Sequence, residues 1–187
     1  MRIRSLVLIL TLLGIGGAAH AQRYYGRPPG LHRYGLVLGA SIGPGAMNFS
    51  DCNGCDSLSV LAVQAEIGGM VTPNLAILFD WTGDFHPYSD GGTLSSNLFD
   101  AAIRYYFARI LWIEGGLGFG FLSFTDQDGF TDETDWGLGL MGAFGVEVLQ
   151  TYNFALDLSV RLSGERVSRN PDVSVGSVAF LVGFHWY

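Results

Sequence analysis

The 187-residue chain contains no lysine; all ten of its basic side chains are arginine. They stand against 17 acids and form no run, so the polybasic footprint of a nucleic-acid-binding protein is missing. Cysteine is confined to Cys52 and Cys55, too few for a disulfide-dense scaffold or a four-thiolate zinc site. Charge is scarce at 14% of residues, yet beyond residue 21 no apolar stretch approaches the ~18 residues of a membrane helix. Helical spans therefore cannot explain a chain that is 49% hydrophobic and 13% aromatic.

The N-terminus accounts for part of that apolar content. Arg2 and Arg4 precede the run Leu6 to Ile15, which exits through Ala19, His20 and Ala21. This is the pattern of a secretory signal cleaved after Ala21, with residues 1–21 too short in their apolar part for a membrane anchor. No cysteine follows closely, which argues against a lipoprotein. The remainder carries 8 arginines and 17 acids, a formal balance of −9. Residues 22–32, "QRYYGRPPGLH", read as a basic, proline-bearing tail expected to be disordered in the periplasm.

The rest of the chain is organised by two-residue alternation. Eight segments emerge, at 33–43, 58–71, 75–84, 96–107, 111–124, 136–149, 154–163 and 176–187. Each reaches the ~9–11 residues that a tilted strand needs to cross a bilayer. Connections alternate between short ("TPN", "ARI", "QTYN") and long, and all six prolines are expected in the tail, turns or loops. One parity carries Leu36, Ile42, Ile67, Phe79, Ile103, Leu117, Leu140, Leu158 and their neighbours; the other carries Gly, Ala, Ser and nearly every charge. An apolar outside around a polar inside requires lipid and inverts a soluble, lipocalin-like barrel. Lysine-free strands agree, since a closed barrel has no edge to guard with charge. Trp81 and Trp136 near one end, with Tyr34, Tyr152 and Trp186 near the other, predict two aromatic girdles.

The final strand, "GSVAFLVGFHWY", places Val178, Phe180, Val182, Phe184 and Trp186 on one face. With this terminal strand and the turn asymmetry, residues 33–187 resemble the small eight-stranded outer-membrane barrels, the group of OmpX and the membrane domain of OmpA. The resemblance implies an all-β, antiparallel, up-and-down transmembrane barrel in the bacterial outer membrane; a non-enzymatic, cofactor-free protein whose exposed loops serve surface interaction or envelope integrity is expected, the alternative being a narrow channel or a small-ligand-binding barrel. It also implies that the barrel assembly machinery reads Phe180, Phe184, Trp186 and Tyr187 during insertion. Outer-membrane lipid and lipopolysaccharide are the implied partners, and the sequence names no extracellular one. One departure is visible: the family ends on an outward Phe, whereas here the outward parity falls on Trp186 and leaves Tyr187 out of phase.

Several groups invite a chemical reading. In an oxidising compartment Cys52 and Cys55 are expected to close a loop disulfide, because Asp51 and Asp56 oppose a reactive thiolate and zinc needs more ligands. Asp126, Asp128, Asp132, Glu133 and Asp135 form a candidate loop cation site without the ligand order of an EF-hand. A solvated loop sharing divalent ions with lipopolysaccharide phosphates is the plainer expectation. His86, Ser89 and Asp90 have the residue types of a serine hydrolase, but lie in one loop without an oxyanion donor. The inward Gly116, Gly118, Gly120, Gly137 and Gly139 leave room that other lumen side chains are expected to fill in preference to a ligand cleft. Finally Glu66, Asp80, Asp100, Glu114, Glu147 and Asp157 share the interior with Arg104 and Arg161. Counting back from the "ARI" turn sets Arg104 opposite Glu114, and Arg161 is expected to reach Asp80 through the lumen.

Overall fold

The computed structural model describes residues 33–50, 57–167 and 173–187. Alternation becomes strand wherever it was read: β1 (Gly35–Phe49), β2 (Leu58–Thr72), β3 (Leu75–Pro87), β4 (Thr93–Tyr106) and β5 (Leu111–Thr125) are followed by a short β6 (Thr131–Glu133). Then come β7 (Gly137–Gln150), β8 (Phe154–Val167) and β9 (Val173–Trp186). Each long strand pairs antiparallel with its neighbours in sequence, β6 aside, and β9 returns to pair with β1. Eight strands thus form a closed up-and-down barrel, and no backbone edge is offered to lipid.

The strands run further toward the long loops than their periodicity indicated. β1 continues to Phe49, β3 to Pro87 and β8 to Val167, while β4 begins at Thr93. Asp84 to Pro87 and Thr93 to Ser96 show no apolar alternation although they pair fully, because polar Asp84, Ser95 and Ser96 are the residues buried there. Two prolines are accordingly not in loops. Pro87 ends β3, and Pro44 lies inside β1, at the point where pairing with β9 lapses between Ile42 and Gly45. A residue without an N–H is tolerated at such a lapse. Gly91 and Gly129, at φ 90° and 85°, take the left-handed conformation that the tips of two long hairpins require.

A bulge at Val148 turns both Val148 and Leu149 outward and returns Gln150 to the lumen. Outside, Trp136 packs on Phe121 and Phe99 toward the long loops, with ring centroids 4.8 and 5.9 Å apart. Phe154, Phe184 and Trp186 cluster near the short turns. Inside, charged layers alternate with apolar ones. Val37, Ala76, Leu78, Leu98, Ala102 and Met141 form one layer, and Met47, Val60, Leu122, Val167 and Val175 form another beneath the long loops.

Candidate functional site

The lumen collects the chemistry because inward positions on all eight strands converge there and lipid excludes charge elsewhere. Arg104 is its centre. The register sets it opposite Glu114, and its Nε donates to Glu114 Oε2 at 2.5 Å. Its Nη1 and Nη2 donate to the two carboxylate oxygens of Glu66, so one guanidinium joins acids from β2 and β5. The same guanidinium lies 4.2 Å over the Trp112 ring. His185 extends the network, with Nε2 3.0 Å from Glu66 Oε1 and Nδ1 2.8 Å from Asp157 Oδ2. Gly39 and Gly183 leave the space for it, since a Cβ on either would collide with His185 and Glu66 or with Asp157.

A second layer lies toward the long loops. Arg161 donates to Asp84, not to the expected Asp80, and to the Val63 carbonyl at 3.3 Å. Strand tilt is the reason: in a staggered barrel a chord across the lumen does not join equal ladder positions. Ser177 donates to the other oxygen of Asp84 at 2.6 Å, and Ser96 donates to Glu165 Oε1 at 2.6 Å. Glu165 Oε2 has no protein partner, and Glu165 is among the residues lining a cavity of about 10 Å³, the size of one water.

At the short-turn end Arg33 inserts from just before β1. Its Nη2 donates to Glu147 Oε2 at 2.5 Å and to the Arg109 carbonyl at 2.8 Å, and its guanidinium lies 3.9 Å over the Tyr106 ring. Tyr187, out of phase with the outward face, turns inward and donates to Glu147 Oε1 at 2.8 Å, with its hydroxyl 2.6 Å from that of Tyr106. The lumen is therefore closed at this end by arginine and phenol, and under the long loops by apolar side chains.

All eight lumen residues expected from the sequence are buried. Asp84, Glu165, Arg33 and His185 join them. The first three were missed because they lie at or beyond the ends of the apolar alternation; His185 is formally uncharged, though its inward parity was visible. Eight buried acids thus meet three arginines and one histidine. Asp80 and Asp100 face each other across β3 and β4, fully buried, and none of their four oxygens has a hydrogen-bond partner in the protein.

The inward glycines do not form a cleft. A Cβ on Gly116 would lie 2.0 Å from Asp100 Oδ1, one on Gly120 1.8 Å from Glu165 Oε2, and one on Gly139 2.4 Å from Leu98 Cδ1. Lumen side chains fill the room that these glycines leave.

The loop candidates stay dispersed. Asp126 accepts from the Asp128 and Phe130 N–H groups within its own turn, while Asp132 and Glu133 sit on β6, folded back against β5. Among the described residues no three metal-binding side chains converge. His86 Nδ1 is 2.7 Å from the Ser59 carbonyl and Asp90 accepts from the Gly92 N–H, so no triad with Ser89 is assembled. Cys52 and Cys55 lie outside the described residues, as do the signal and tail at 1–32.

No family model matches this sequence, and neither does any curated protein. Solved structures do match. Neisserial surface protein A superposes with a TM-score of 0.61 at 17% identity, over 81% of this chain and 96% of that one. Ail, the attachment invasion locus protein of Yersinia pestis, gives 0.55 at 14% identity, over 82% and 99%. Ail in complex with the heparin analogue sucrose octasulfate gives 0.52 at 13%. The chain has the fold of the small outer-membrane barrels. In an outer-membrane barrel, Leu36, Ile77, Phe119, Leu140 and Phe180, all exposed, form the lipid-facing belt.

Proposed function

We propose that this outer-membrane barrel is a non-enzymatic protein whose lumen is structural and whose long hairpins serve surface interaction or envelope integrity. The observation that carries the reading is the filled interior. An apolar layer of Met47, Val60, Leu122, Val167 and Val175 stands above the Arg161 and Arg104 networks, and the Arg33–Tyr106–Tyr187–Glu147 cluster stands below. A path for solute would have to break all of them. The long hairpins remain open to partners outside the cell, with the termini and short turns in the periplasm and the acidic loop beside lipopolysaccharide. Ail, which shares the fold, is described as an attachment protein, and its complex holds a sulfated ligand. The described outer loops here carry Asp90, Asp126, Asp128, Asp132, Glu133 and Asp135, so polyanion binding does not carry over.

The alternative is a narrow cation channel, favoured by the unpartnered oxygens of Asp80 and Asp100. Conductance in planar bilayers separates the two. The expected result is no sustained current from the purified full chain; a stable cation-selective current would overturn the structural reading of the lumen.

A further inference from the structure

The two ends of the barrel differ in charge. The short connections at residues 73–74, 107–110 and 151–153 contain no acid, whereas the described long loops contain six. At the short-turn end a cleft of about 520 Å³ opens between the start of β1 and the turns after β2 and β4, a volume typical of small-molecule sites. Arg33, Arg109 and Asn74 line it with donors; Tyr34, Tyr106 and Phe107 line it with rings, and no carboxylate is among its walls.

The two arginines are not equivalent. Arg33 is 8% exposed and its charge is met by Glu147, but its Nε–H has no partner. Arg109 is exposed, and among the described residues only its backbone carbonyl is engaged, by Arg33 and Gln150. The cleft thus keeps one uncompensated positive charge, that of Arg109. Tyr34 and Phe107 carry its wall onto the outer surface of the barrel, both exposed on the side where acyl chains lie. Donors facing an apolar flank match an amphiphile with an anionic head.

We propose that this cleft binds the headgroup of an anionic phospholipid in the leaflet that meets the short turns. The phosphate accepts from the exposed Arg109 guanidinium, and one acyl chain lies along Tyr34 and Phe107. Basic pockets at membrane surfaces recognise anionic headgroups in this manner, and the Arg109 guanidinium gives a phosphate a planar donor pair that an ammonium cannot. The site depends on the barrel lying in a bilayer, and not on any role of the long loops or on a silent lumen.

The test is native mass spectrometry of the full chain, refolded in detergent and titrated with phosphatidylglycerol, with phosphatidylcholine of the same acyl chains, or with inorganic phosphate. One phosphatidylglycerol should be retained in preference to phosphatidylcholine. Arg109→Gln should reduce that preference on the order of fivefold, the effect of one surface arginine on an anionic lipid. Arg109→Lys should keep part of it, and Arg166→Gln at the opposite end should leave it unchanged. Heat-modified migration of each variant confirms that it is folded. Equal retention of the two lipids, or a preference that survives Arg109→Gln, would overturn the proposal. Displacement of the lipid by equimolar inorganic phosphate would overturn the lipid assignment, because it makes the cleft a site for free phosphate.

Discussion

Arg104 shows how much a single lumen residue holds. It is fully buried, bonded to both Glu66 and Glu114, and stacked on Trp112, so its removal strands two carboxylates in a medium that cannot hydrate them. Arg104→Ala should cost about 4 kcal/mol, the range for breaking a buried ion pair, read as urea unfolding of the barrel in lipid. Arg104→Ala with Glu114→Ala should recover only part of this, since Glu66 keeps only His185; adding Glu66→Gln should recover more. Strictly additive losses would mean that the side chains do not meet. The Arg104–Glu114 pair was legible because a short turn fixes the register and both residues count back equally from it. The Glu66 arm was not, since it passes over β3, and the depth at which a long side chain ends is not a property of the ladder. Arg161 gives the same lesson: its partner Asp84 lies four residues beyond the expected Asp80 along β3, because strand tilt displaces facing positions.

Among the elements, β1 and β9 have to close on each other for the barrel to exist, and their seam is the least regular. Pairing lapses at Gly43 and Pro44, where the Phe180 carbonyl of β9 approaches so closely that a Cβ on Gly43 would lie 1.9 Å from its oxygen. That contact is with backbone, which cannot move aside without opening the ladder. Gly43→Ala should therefore cost about 3 kcal/mol, at the upper end of overpacking, whereas Gly115→Ala on β5, whose new methyl meets nothing nearer than 4.0 Å, should be close to neutral. Urea titration of the two variants side by side makes the comparison, and equal stabilities would refute the tight seam. Identity and facing of the eight barrel strands were legible, because lipid demands an unbroken apolar parity on the outside, whereas the short exposed β6 carries no such parity and read as loop. Strand ends were not: past the belt, segments such as Thr93 to Ser96 pair without any apolar contrast. Pro44 read as loop for the same reason, since sequence alone does not show that a neighbouring ladder lapses beside it.

At the scale of the molecule, closure converts many weak ladders into one cooperative object. β9 pairs with β8 along its length and with β1 on its other side, so it belongs to two ladders at once. Removing Gly176 to Tyr187 would leave β8 and β1 facing lipid with unpaired N–H and C=O groups, each costing several kcal/mol in hydrocarbon. It would also remove His185, which bridges Glu66 and Asp157, and Tyr187, which helps to close the lumen at the short turns. Both the wall and its filling fail together, so no partly closed barrel of seven strands is expected. The intact chain should migrate differently in SDS before and after boiling, because an edgeless ladder with a bonded interior offers detergent no place to begin. The chain lacking Gly176 to Tyr187 should migrate identically in both states and be extracted from membranes by urea. A heat-dependent shift retained by the truncated chain would mean that β1 to β8 close without β9, and that the interior charges can be satisfied by fewer strands than pair around them here.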